Sequence, residues 1–150
     1  MFDPSNALLL VTFITAFVLL LLVATHSRVR SSANDIVLTL EKSGGGWISR
    51  LVFKNGQWKV NLIRDAKRFE IVIDEITGRI IAEHEQHMRE RPPRDAMPLS
   101  KILEVFAPAS VQEIEFDRGR WQIGYEKDGV RRASLVDPVH GSIIADRQAI

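Results

Sequence analysis

Hydrophobic and polar positions follow different rhythms in different stretches of the chain. From Ala7 to Thr25 the sequence ALLLVTFITAFVLLLLVAT has 19 residues and no charge. At about 1.5 Å rise per residue this is a helix of about 28 Å, close to the ~30 Å hydrocarbon core of a bilayer. Asp3 followed by Pro4 supplies a helix start. Residues 1–6 hold no Lys or Arg, and Thr25-His26-Ser27 is a poor cleavage site. The pattern therefore predicts a retained transmembrane anchor over residues 1–27 rather than a cleaved signal peptide. Thr12, Thr15 and Ala16 fall at helical spacing and offer a small, weakly polar face to another membrane helix. Against that stands the ordinary tolerance of Thr in a lipid-facing helix, where its hydroxyl bonds back to the helix carbonyls.

Beyond the anchor the rhythm is written twice. Residues 48–83 align without gaps to residues 111–146, a shift of 63, with ten of the 36 positions identical. The matches include Phe53/Phe116, Gly56/Gly119, Trp58/Trp121, Asp74/Asp137 and Gly78/Gly141, and the Ile-Ile-Ala triplets 80–82 and 143–145. Such self-similarity marks a duplication. In the first copy Ser31 or Ser32 caps a helix that runs to about Ser43 and stops at Gly44-Gly45-Gly46. In the second, Leu99, Ile102, Leu103 and Phe106 form an i, i+3, i+4, i+7 stripe before Pro108. Each helix precedes an alternating meander. Leu51 and Phe53 lead into the turn Asn55-Gly56, a strong hairpin signal, and Trp58, Val60 and Leu62 return on the same face. Ile114, Phe116, Trp121, Ile123 and Tyr125 repeat the pattern. A third strand is predicted over about 69–74 and 131–137, then a Gly-closed turn and a short Ile-Ile-Ala strand.

The pattern predicts an α+β protein: an N-terminal transmembrane helix, then two repeated units, each one helix packed on an antiparallel sheet of about four strands. The expected divisions are an anchor over 1–27, a first repeat over 28–83, a charged Pro-rich linker over 84–97 and a second repeat over 98–150. Pro92-Pro93 stiffens the linker.

A helix, a hairpin through Gly-x-Trp, and a strand ending Asp-x-x-x-Gly-x-Ile-Ile together resemble the PepSY domain. NGQWKVNLIRDAKRFEIVIDEITGRII and RGRWQIGYEKDGVRRASLVDPVHGSII both carry this order. The second copy departs from the family's Asp-x-x-Thr-Gly by placing His140 at the Thr position. The resemblance implies a regulatory or interaction module rather than an enzyme. Such modules occur in metallopeptidase propeptides and in bacterial envelope proteins behind a signal or anchor. It also implies an extracytoplasmic address. Arg28 and Arg30, which follow the apolar run, point to the cytoplasm by the positive-inside rule. The balance leans narrowly to a single-pass protein of the bacterial cytoplasmic membrane with its soluble domain in the periplasm.

Composition narrows the chemistry. Twenty Lys+Arg against 19 Asp+Glu give a net charge of +1, which argues against nucleic acid as a partner. The absence of cysteine excludes disulfides, thiolate metal sites and a cysteine nucleophile. His84 and His87 stand among Glu83 and Glu85 at i, i+3. A catalytic zinc helix wants i, i+4, so the pair is at most a weak surface metal site in a solvated linker. Asp74 and Asp137 each precede a Gly-closed turn and are expected to bind its backbone N–H groups. Trp58 and Trp121 are expected in the core. Trp47 faces Ser110 in the alignment and so suits a surface or interface role. Arg64, Lys67 and Arg68 at one hairpin tip, with Arg131 and Arg132 near the equivalent tip, are ordinary turn charges or contacts for lipid headgroups or an acidic partner.

Two functions follow. The first is a membrane-anchored, non-enzymatic interaction module without a cofactor, held in the bilayer through residues 7–25. It would bind or regulate a protein partner, by peptidase inhibition or as an accessory subunit, through a sheet edge or the groove between copies. The alternative is a small metal- or ligand-binding module that uses His84 and His87.

Overall fold

The computed structural model describes residues 30–44, 46–87 and 91–149. Helix α1 (Ala33–Lys42) starts at a capping box: the Ser32 hydroxyl accepts from the Asp35 N–H, and the Asp35 carboxylate accepts from the Ser32 N–H. Its apolar stripe, Ala33, Ile36, Val37 and Leu40, is buried. Gly46, at φ +101°, lets the chain turn tightly into the sheet; a Cβ there would run into the Ile63 carbonyl oxygen. Strands β1 (Trp47–Lys54), β2 (Gln57–Arg64), β3 (Lys67–Asp74) and β4 (Ile80–Gln86) then form an antiparallel meander. Helix α2 (Leu99–Glu104) and strands β5 (Ser110–Asp117), β6 (Arg120–Lys127), β7 (Val130–Val136) and β8 (Ile143–Gln148) form a second.

The hairpins are closed by two-residue turns with positive φ at both positions: Asn55-Gly56, Asp65-Ala66, Arg118-Gly119 and Asp128-Gly129. This geometry matches the right-handed twist of the flanking strands, and Asn, Asp and Gly tolerate it best. The third and fourth strands of each meander are joined by the Asp turns. Asp74 Oδ1 accepts from the N–H groups of Ile76 (3.0 Å) and Thr77 (2.7 Å) and from the Thr77 hydroxyl (2.9 Å). Asp137 Oδ1 accepts from the N–H groups of Val139 (2.9 Å) and His140 (2.7 Å). These bonds hold both carboxyls below the usual carboxylate range, the Thr77 N–H acting most strongly on Asp74 and the His140 N–H on Asp137.

Among the described residues, two separate helix-on-sheet units are not what forms. The eight strands make one continuous sheet in the order β4-β3-β2-β1-β5-β6-β7-β8, because β1 pairs antiparallel with β5 across the repeat boundary. The tandem arrangement expected of PepSY-like units is corrected on the same ground. At the seam Leu51 lies opposite Ile114, Arg50 opposite Glu115 and Val52 opposite Glu113. Leu51 and Ile114 are the same position of the two copies, so the pairing is two-fold symmetric about them. The physical reason for the merger is burial: alone, β1 would leave one row of backbone donors and acceptors unpaired at the edge of a small sheet. A single core lies under the sheet, from Leu51, Trp58, Val60 and Ile71 through Ile114, Trp121 and Ile123, covered by α1 and by Leu99, Ile102, Leu103 and Phe106.

Among the described residues no helix is long and apolar enough to cross a membrane. The expected single-pass placement in a bacterial cytoplasmic membrane, with a periplasmic domain, is corrected to that extent: no described helix supplies the span. The apolar run 7–25 and its residues Thr12, Thr15 and Ala16 lie outside the described residues.

Candidate interaction surface

The sheet has two outer edges, β4 and β8, and the sequence builds them alike. Both follow an Asp-x-x-x-Gly turn, and both begin Ile-Ile-Ala. Neither strand has a neighbour on its outer side among the described residues. The β8 residues are all exposed, and so are those of β4 apart from the half-buried Ala82. In each strand the register slips at the second isoleucine. Val72 pairs with Ala82 and Ile73 with Ile80, which leaves Ile81 as the extra residue; Leu135 pairs with Ala145 and Val136 with Ile143, which leaves Ile144. Such a bulge bends the edge and re-aims its side chain. Ile81 is 54% exposed and Ile144 48%. Ile80, Ile143 and the turn residues Ile76 and Val139 are exposed beside them. Scattered surface isoleucines need no explanation, but the same apolar patch at two equivalent sheet edges is a pattern.

Behind each edge the two halves use different chemistry. In the first half Arg64 pairs with Glu83 at 2.8 Å and Lys67 with Glu85 at 3.4 Å, and the Arg64 guanidinium sits 4.8 Å from the Phe69 ring centroid. In the second half Asp146 of β8 accepts from Tyr125 Oη (2.9 Å), Ser134 Oγ (2.7 Å) and Arg132 Nε and Nη2 (3.1 and 2.6 Å). Ser134 is 1% exposed, so its hydroxyl depends on that carboxylate. The Arg132 hydrogen bonds, then those of Ser134 and Tyr125, hold the Asp146 carboxyl below the usual range. The cluster escaped motif reading because no local spacing announces it. Aligning the copies reveals it: Leu62, Phe69, Ile71 and Glu83 correspond to Tyr125, Arg132, Ser134 and Asp146. With both carboxylate oxygens engaged by four donors, Asp146 acts as a staple between β8 and β7.

The residues singled out from sequence are dispersed. Arg64 and Lys67 are tied to β4, Arg132 is tied to β8, and Arg131 donates to the Gln112 side chain at 3.3 Å. Arg68 lines a shallow depression with Glu85, Gln86 and His87, and its Nε is buried with no hydrogen-bond partner among the described residues. His84 stands in β4, opposite Glu70, rather than in a linker. His87 follows the end of that strand, and both imidazoles are exposed. Among the described residues no three His, Asp or Glu side chains converge on one ion position. Trp47 is half-buried inside the molecule, packing edge-on to Phe116 at 5.0 Å and tilted against Trp121 at 5.7 Å. It joins β1 to the aromatic core of the other half.

No protein-family model and no curated protein matches the chain. Among solved structures the chain is similar to a "putative lipoprotein" from Clostridium difficile 630, at TM-score 0.45 and 15% identity, over 80% of this chain and 94% of that one. It is also similar to a DUF2874 family protein from Bacteroides ovatus, at TM-score 0.31 and 12% identity, over 79% and 88%. Likeness at these scores carries no argument about what the chain does.

Proposed function

We propose that this chain is a non-enzymatic, PepSY-like interaction module that binds or regulates a protein partner, and that it captures extended partner segments along the edges β4 and β8. One observation carries the reading: both ends of the eight-stranded sheet present the same bulged Ile-Ile edge, exposed and without an outer neighbour among the described residues. An edge strand offers a row of backbone donors and acceptors for an added strand, and side chains on the edge set which segment fits. The motif resemblance points the same way, since PepSY modules are interaction modules. The Asp146 staple supports it physically at one edge: it holds β8 in place as a template, so little ordering entropy is lost when a segment docks there.

The test is selection of a random twelve-residue peptide display library on the full chain, followed by rebinding to variants. Ile81→Lys and Ile144→Lys add charge to the edges at half-exposed positions, where surface substitutions change stability by only about 0.5 kcal/mol. The expected result is that selected peptides bind the parent chain, lose the altered edge but keep the other on either single variant, and fail to bind the double variant. Selected peptides that bind the double variant as well as the parent would contradict the proposal.

A further inference from the structure

Successive side chains of β3 turn to opposite faces of the sheet. Phe69 and Ile71 pack on the core, so Arg68 and Glu70 turn to the face away from the helices. Arg68 lies across from Gln86, the last residue of β4, at the corner where the outer edge stops. Its Nε is buried with no hydrogen-bond partner, and its guanidinium forms no ion pair among the described residues. Arginine ordinarily engages carboxylates through two parallel N–H bonds, and a covered donor left without an acceptor is costly. The nearby acidic groups are already engaged: Glu85 pairs with Lys67 at 3.4 Å, and Glu70 accepts from Gln86 Nε2 at 3.2 Å. In the second half the aligned Arg131 donates to Gln112 at 3.3 Å. The counterpart of Gln112 is Ser49, whose hydroxyl donates to the Asn61 carbonyl at 3.3 Å. Arg68 instead borders an open depression of about 460 Å³, together with Glu85, Gln86 and His87.

We propose that this depression is a carboxylate site with the Arg68 guanidinium as its binding group, and that segments captured on β4 place a carboxylate in it. The site stands on the contacts just given; its use by a captured segment rests on the edge reading of β4. The planar fork of a guanidinium matches the two oxygens of a carboxylate, and the exposed His87 imidazole supplies a further N–H at the rim. One guanidinium neutralises one negative charge, and taking an anion out of water costs steeply more as its charge rises. A carboxylate therefore fits better than a phosphate dianion. The reach is right as well. A strand added to β4 lies two strand spacings, about 10 Å, from β3, a gap that an arginine and an acidic side chain span together.

The experiment titrates the full chain with N-acetylglycinate at fixed ionic strength and follows the Arg68 Nε–H and the Gln86 and His87 amides by NMR. Saturable shifts are expected, and none with the uncharged N-acetylglycinamide. The amide shifts should vanish in Arg68→Gln and weaken about tenfold in Arg68→Lys, which keeps the charge but loses the fork. Both variants should unfold at the parent's Tm, because the Arg68 side chain makes no hydrogen bond or ion pair within the described fold. Inorganic phosphate should bind more weakly than the carboxylate. Ile81→Lys, near the other end of β4, should leave the N-acetylglycinate shifts in place while it removes display-selected peptides from that edge. Loss of strand capture and loss of the carboxylate site are thereby read separately. In a β4-binding peptide, Asp→Asn or Glu→Gln, compared with C-terminal amidation, identifies which carboxylate docks; the effective change should cost about tenfold on the parent and nothing on Arg68→Gln. The site is overturned if N-acetylglycinate and its amide act alike, if phosphate binds more tightly, or if the Gln86 and His87 shifts persist in Arg68→Gln. Its use by captured segments is overturned if every carboxylate of the β4-binding peptides can be removed without loss.

Discussion

Trp58 and Trp121 occupy the same position of the two copies but differ in one hydrogen bond, and that difference has a measurable consequence. Both side chains are almost fully buried, at 4% and 1% exposure. The Trp58 indole donates to the Ser31 carbonyl at 2.9 Å, just ahead of the α1 cap. The Trp121 indole N–H is buried with no partner among the described residues. Replacing either by Phe removes a similar apolar volume, so the packing loss largely cancels when the two variants are compared. What remains is polar. Trp58→Phe removes a hydrogen bond with a net value of about 0.5–1.5 kcal/mol. Trp121→Phe removes an unsatisfied donor whose desolvation costs about 1–3 kcal/mol. Trp58→Phe should therefore be the more destabilising of the two by about 1.5–4.5 kcal/mol. Urea unfolding of the full chain, with the m-value checked for constancy, reads this directly. Equal losses, or a larger loss for Trp121→Phe, would refute the assignment of the two indole environments.

Three further outcomes follow. Asp146→Ala leaves the buried Ser134 hydroxyl without its acceptor, a loss of about 1–3 kcal/mol for that group alone, and amide exchange should rise in β8 while β4 is unaffected. The Asp146 carboxyl is held below its unfolded value of about 3.9, so its contribution is fully present above about pH 4 and disappears as pH falls through the folded value. Hydrogen exchange should accordingly show β8 better protected than β4 at pH 7, where the exposed pairs Arg64–Glu83 and Lys67–Glu85 contribute little, and the difference should shrink at the lowest pH at which the fold survives. Gly46→Ala meets both a positive φ and the Ile63 carbonyl, and should destabilise by about 2 kcal/mol or more in thermal or urea unfolding.

Local features were readable in the sequence because their causes are local. Asn55-Gly56 names its turn, Ser31 or Ser32 ahead of the apolar stripe names a helix start, and the 63-residue shift names the two meanders. The merger into one sheet was not readable. It rests on three residue pairs between β1 and β5, joined across more than fifty residues, and Leu51 and Ile114 look like any other inward position. The β4 residues His84 to Gln86 read as linker because an edge strand need not alternate. Trp47 looked like a surface residue because it lacks a counterpart in the second copy, yet its ring packs inside the molecule on Phe116 and Trp121. The Asp146 cluster draws on three strands and becomes visible only when the copies are compared position by position.

The central claim is that the outer edges of this sheet receive partner strands. Its most direct measurement is hydrogen exchange by mass spectrometry on the full chain, with and without a display-selected peptide. The account predicts new protection confined to Ile80–Gln86 and Ile143–Gln148, abolished by Ile81→Lys and Ile144→Lys together. Protection that appears elsewhere in the sheet while both edges exchange as in the free chain would contradict it.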